Sequence, residues 1–162
     1  MAEGFTIGVV GAFDVQNFGD LLFPLVARTE LERRLGPVEL VPFSYRPMGS
    51  GEWPYSVASL ADFGAAVGDL DLLLVGGGDL IRGDANVAPG YRPTDTRTPH
   101  PFGLWLVPTL VAGAAGVPVV WNSVGVLPTL SPSLAPLLEA AVGAVAHLAV
   151  RDDYSARNLC DR

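Results

Sequence analysis

The run Leu70-Asp71-Leu72-Leu73-Leu74-Val75, closed by Gly76-Gly77-Gly78, is apolar at nearly every position and too short for an ordinary helix. A strand with one wet face alternates in polarity, whereas a strand apolar almost throughout is covered on both faces, as in parallel sheets flanked by helices. The run therefore predicts a central strand, with the glycines at its carboxyl end. Outward from it, Phe5 to Val10, Val38 to Phe43, Val117 to Trp121 and Ala146 to Val150 read as further strands. Between the first two, Leu21, Leu22, Leu25, Val26, Leu31 and Leu35 recur at helical spacing, and Gly36-Pro37 ends the pattern. Pro24 is expected in that helix's first turn. Leu60, Phe63 and Val67 predict a helix over 57–67, and another over 102–115 requires a kink or a late start at Pro108. Ser131-Pro132 offers a cap and a first-turn proline for a helix carrying Leu134, Leu137, Leu138 and Val142, and a last helix begins near Tyr154.

Strands alternating with helices imply right-handed crossovers over a mostly parallel sheet, a Rossmann-like three-layer α/β domain spanning residues 1–162. Ligands of such sheets gather at the carboxyl ends of the strands. Residues 79–101 hold four prolines and no period, and are expected to form a long surface loop with a functional role.

Composition narrows the partners. A formal net charge of -7 with no basic run longer than Arg33-Arg34 argues against nucleic acid and against an anionic membrane surface. Charged residues are only 17% of the chain, so part of the surface is expected to meet a further domain or a second copy in a homo-oligomer. Cys160 is the single cysteine and no cluster has metal-ligand spacing, which fits a reducing, cytoplasmic setting without a metal. No signal-peptide pattern and no unbroken apolar run of membrane-spanning length is present.

Three segments carry chemical potential. Gly11 to Asp20, G-A-F-D-V-Q-N-F-G-D, lies between a strand and a helix, where free amides and the helix dipole favour an anion. It matches neither a dinucleotide fingerprint nor a Walker loop. Asn17 and Asp20 either cap this turn or face a ligand, and the charge on Asp20 favours a sugar hydroxyl over an anion. Gly76, Gly77 and Gly78 allow either ligand approach or close packing. Arg151, emerging after the last strand, either clamps a carboxylate or phosphate or pairs with Asp152 and Asp153. His100, near the end of the long loop, is placed to carry a proton, whereas His147 is expected in the core. Trp53, Trp105 and Trp121 serve either packing or sugar stacking.

In order along the chain, V-V-G-A-F-D-V-Q-N-F-G-D-L-L, L-L-L-V-G-G-G-D-L-I, G-V-P-V-V-W-N-S-V-G-V-L-P and L-A-V-R-D-D-Y-S-A-R-N-L resemble the N-terminal half of polysaccharide pyruvyl transferases. The resemblance implies two Rossmann-like domains facing across a GT-B-like cleft, of which this chain is the first, with the C-terminal domain absent. It implies transfer of an enolpyruvyl unit from phosphoenolpyruvate, a donor substrate rather than a bound cofactor, to a saccharide acceptor of a bacterial cell-surface polymer. Family positions fall on Asn17, Gly19 and Asp20, on Gly76 to Gly78, on Gly125 and Pro128, and on Arg151, Asp152 and Ser155. Asp79 departs from the small neutral residue more usual in the family, and Gly83 to Arg97 is longer and richer in proline. The histidine suited to acid catalysis is expected in the opposite domain, so this chain alone is expected not to turn over. Two other classes stay open: a GT-B glycosyltransferase half using a nucleotide sugar, and a non-catalytic glycan-binding domain.

Overall fold

The computed structural model describes residues 4–51, 53–84 and 101–160. In chain order its elements are β1 (Phe5–Val10), α1 (Phe18–Leu35), β2 (Val38–Ser44), β3 (Ala58–Ser59), α2 (Phe63–Ala66), β4 (Leu72–Gly76), α3 (Leu106–Ala114), β5 (Val119–Val124), α4 (Ala135–Gly143), β6 (Val145–Val150) and α5 (Asp153–Cys160). The strands form one sheet in the order β3-β2-β1-β4-β5-β6, and every pairing is parallel. This α/β arrangement is Rossmann-like, and all six carboxyl ends lie along one edge. The strand order reverses direction between β1 and β4, which opens a crevice at that edge.

Alternation along the central strands builds two cores. Ile7, Val9 and Leu74 face Phe23, Ala27 and Leu31 of α1, while Val10, Leu73 and Val75 face the layer that includes α3 and α4. Trp121 of β5 is fully buried in the second core, edge-on to Trp105 at 6.0 Å, and its indole N–H donates to Thr109 Oγ1 at 3.0 Å. These two tryptophans are packing residues.

Four local expectations are corrected. The first helix begins at Phe18, so Pro24 sits in its second turn and cannot donate to the Asp20 carbonyl. No helix covers 57–67: Val57 bridges Met48, Ala58 and Ser59 pair with Phe43 and Ser44 as an edge strand, and the helix is reduced to α2 followed by a 3₁₀ turn at Val67–Asp69. Sheet pairing overrides the helical spacing of Leu60, Phe63 and Val67 there. Ser131 does not cap by its side chain; its Oγ lies 2.7 Å from Ser133 Oγ, a 3₁₀ turn intervenes, and α4 starts at Ala135. His147 is exposed rather than in the core, because β6 is the sheet's edge strand and its covering is incomplete. The third helix does start late, at Leu106, which puts Pro108 in its first turn.

Candidate functional site

The crevice between β1 and β4 is floored by two glycine-rich turns. After β1, the chain runs through Gly11 into a loop braced from below: Phe13 is fully buried and stacks on Phe23 at 6.5 Å. Asp14, also buried, accepts from Ser44 Oγ at 2.6 Å, and from the Arg46 backbone N–H at 3.0 Å and its Nε at 3.2 Å. Asn17 then caps α1, accepting from the Gly19 N–H at 3.2 Å while its Nδ2 donates to Asp20 Oδ2 at 2.8 Å. The helix start thus carries its own cap and a carboxylate. Asn17 is the cap, with the Gly19 amide engaged by it, while the Asp20 carboxylate it holds lines the cleft.

The glycines after β4 each meet a different requirement. A side chain on Gly76 would collide with Phe23 and with the backbone carbonyl of Asn122 on the neighbouring strand, 2.7 Å from the Cβ position. Gly78 has φ of +61° and presses against Asp20, whose Oδ1 lies 2.8 Å from where a Cβ would stand. The Gly78 carbonyl accepts from the Gly125 N–H at 2.9 Å, and the Gly125 carbonyl accepts from the Ile81 N–H at 3.0 Å. This ladder prolongs the β4 side of the rim past the sheet and carries Asp79 and Arg82 upward.

Arg151 enters from β6. Its backbone N–H donates to the Val124 carbonyl at 3.0 Å, next to a register irregularity where Ser123 adopts φ of +56°. The guanidinium meets Asp79 Oδ1 at 2.8 Å through Nη2 and Asp152 Oδ2 at 3.0 Å through Nε. Asp152 also accepts from the Ser155 backbone N–H at 2.7 Å, and these contacts pull its carboxyl down to about 2. Ser155 is fully buried, with its hydroxyl accepting from the Val126 N–H at 3.1 Å.

Asn17, Asp20, Gly78, Asp79, Arg82 and Arg151 line one cleft of about 280 Å³ at this edge. Gly11, Gly76 and Gly77 shape the turns beneath it, and Gly125 supports Asp79. Residue His100 lies outside the described residues. Arg82 grips Asp84 through two bonds of 2.6 Å, and its carbonyl accepts from Trp105 Nε1 at 3.2 Å. Both arginines of the cleft are therefore paired with carboxylates, and the wall has no surplus of positive charge. Burial, followed by the neighbouring Asp79, raises the Asp20 carboxyl above the ordinary aspartate value, against a smaller opposing effect of the Asn17 hydrogen bond. A carboxyl whose hold on a proton is raised in this way suits exchange of a proton with a neutral hydroxyl.

The sign of this shift gives a stability prediction. Because folded Asp20 keeps its proton to higher pH than an ordinary aspartate, which titrates at 3.8, the folded chain binds more protons than the unfolded one between 3.8 and the raised value. Stability falls as pH rises through that window. Asp20→Asn is expected to remove this fall and to be relatively more stable at pH 7 than at pH 3.5, read from urea midpoints at the two values. A uniform loss at both would contradict it.

Sequence reasoning passed over the Asp14–Ser44–Arg46 brace, since its members are some thirty residues apart and only the β1–β2 pairing joins them. The Arg82-x-Asp84 spacing was a visible signal for the second pair. Among the described residues no group of three or more His, Cys, Asp or Glu could hold a metal ion, and no helix is long and apolar enough to cross a membrane. A family model described as Polysaccharide pyruvyl transferase matches residues 17–161. No curated protein matches the chain.

Proposed function

Since the chain belongs to the polysaccharide pyruvyl transferase family, we propose that its cleft is the acceptor-facing wall of a site where an enolpyruvyl unit passes from phosphoenolpyruvate to a saccharide. The observation that carries this reading is the juxtaposition of Asp20, Asp79 and Arg151 on one rim. A cleft whose cations are already balanced by carboxylates receives neutral hydroxyls more readily than a free polyanion. The bulk of the donor's charge then falls to a second Rossmann-like domain facing this one, in the GT-B manner.

Ketal formation joins two sugar oxygens to the donor's central carbon. Two hydroxyl protons are released; one ends on the methylene carbon, which becomes a methyl group, and the other leaves with phosphate. In this reading Asp20 takes a proton from an attacking hydroxyl. Arg151, with N–H donors beyond those on Asp79 and Asp152, meets the donor's carboxylate or phosphate as it enters. Gly11, Asn17, Gly19, Gly76 to Gly78, Gly125 and Ser155 set the shape of the wall.

A protein carrying both domains, supplied with labelled phosphoenolpyruvate or with labelled nucleotide sugars and a glycan bearing vicinal or 1,3-related hydroxyls, is expected to label the glycan only from phosphoenolpyruvate. Label arriving only from a nucleotide sugar would replace pyruvyl transfer with glycosyl transfer. Tight glycan binding without turnover of either donor would leave a binding domain.

A further inference from the structure

A second hollow of about 420 Å³ lies on the other side of the β1–α1 loop, between that loop and the segment following β2. Asp14, Gln16, Leu21, Met48 and Trp53 are among its walls. The loop separating it from the first cleft is the same one that supplies Asn17 and Asp20, so the two hollows flank one turn along the carboxyl edge of the sheet.

One of its walls, Trp53, belongs to a group of three aromatic rings. Phe18, the first residue of α1, is 70% exposed and its ring stands 5.9 Å from that of Trp53; Trp53 in turn stands 6.3 Å from Tyr55. An apolar ring so exposed at a helix start contributes little to the core, yet the group is held firmly. Tyr55 donates its hydroxyl to the Leu21 carbonyl at 2.6 Å, and its burial pushes that phenol up to about 12. Met48 and Val57 exchange backbone hydrogen bonds of 2.9 and 2.8 Å, closing the base of the segment that carries Trp53. Gln16, another of its walls, is exposed and offers both a donor and an acceptor. Rigid aromatic surface facing a few polar groups is the composition of a small-molecule site, and the C–H face of a pyranose packs on such rings while its rim hydroxyls take hydrogen bonds.

We infer that the hollow lined by Trp53 and Gln16, together with the Phe18 ring beside Trp53, is a subsite for a further sugar residue of a neutral saccharide chain, which crosses the β1–α1 loop with its reacting unit in the cleft of Asp20 and Arg151. The inference rests on the acceptor-wall reading for its direction along the edge, and on its own geometry for the presence of a saccharide site. It makes acceptor recognition depend on chain length.

The test uses the intact 162-residue chain and intrinsic tryptophan fluorescence. Trp105 and Trp121 are fully buried, so a ligand-dependent change reports Trp53. Hexasaccharides of β-linked glucose and β-linked galactose, each against its monosaccharide, are the probes. At least one hexasaccharide is expected to shift the emission and bind about tenfold more tightly than its monosaccharide, with Phe18→Ala and Trp53→Ala each weakening that binding by about tenfold and Trp53→Phe largely retaining it. For the tryptophan-free site, binding is read by calorimetry. Phe18→Ala removes a mostly exposed ring, so an unchanged melting temperature separates lost contact from lost fold. Equal affinity for hexasaccharide and monosaccharide, or hexasaccharide binding untouched by Phe18→Ala and Trp53→Ala, would overturn the subsite. Absence of binding by all four probes would overturn it too. Chain-length-dependent binding in a protein that labels glycans only from nucleotide sugars would keep the subsite and sink the pyruvyl-transfer reading instead.

Discussion

Trp121→Ala is expected to destabilise the chain by about 3–5 kcal/mol, the range for deleting a fully buried aromatic side chain from a core that collapses only in part. The loss has two sources. One is the cavity against Trp105, whose ring packs edge-on at 6.0 Å. The other is Thr109, fully buried in α3, whose hydroxyl loses the indole N–H it faces. Trp121→Phe keeps much of the volume and removes only that bond, so about 1–3 kcal/mol is expected from it. Equilibrium urea unfolding of both variants checks the pair. A loss below about 1 kcal/mol for Trp121→Ala would mean that α3 does not pack on β5 as described.

Arg151→Ala is expected to do the opposite: a large loss of transfer with little loss of fold. The side chain is 44% exposed, and its partners Asp79 and Asp152 are 44% and 41% exposed. Ion pairs of that kind contribute within about 1 kcal/mol, so the melting temperature should move little. A preorganised cation opposite the charge that develops as phosphate departs is worth far more. Transfer by a two-domain protein should therefore fall by about 10²–10³-fold. Arg151→Lys keeps the charge and loses the planar fork, and should fall between the two. Matched losses of transfer and stability would reduce Arg151 to a cap for the Asp152–Ser155 turn.

The difference between these two residues shows what the sequence disclosed. Trp121 sits in a run, Val117 to Trp121, whose strand character was readable, as was the buried strand from Leu72 to Gly76, because period and length carry that signal. Asn17, Asp20, Gly78 and Arg151 were readable as chemical types in the loops that follow strands. Their geometry was not. That Gly76 packs on Phe23, or that Arg151 meets Asp79 across some seventy residues of chain, depends on the order β1-β4-β5-β6, which no local pattern contains. The short strand β3 was misread as helix because two residues of pairing outweigh a helical spacing that lacked caps. The inward placement expected of His147 failed for a related reason, since alternation does not reveal which strand lies at the edge.

Saccharide is expected to bind at the carboxyl edge of the sheet, between the β1–α1 loop and Arg151. Backbone amide shifts of the ¹⁵N-labelled chain, followed during titration with the same β-linked hexasaccharides, test it most directly. The largest perturbations are expected on Gly11, Asn17, Gly78, Asp79 and Arg151, with Phe5, Val38 and Val119 at the amino ends of their strands unmoved. Perturbations centred on those amino ends, or confined to α4 and α5 with Gly78 and Arg151 silent, would contradict it.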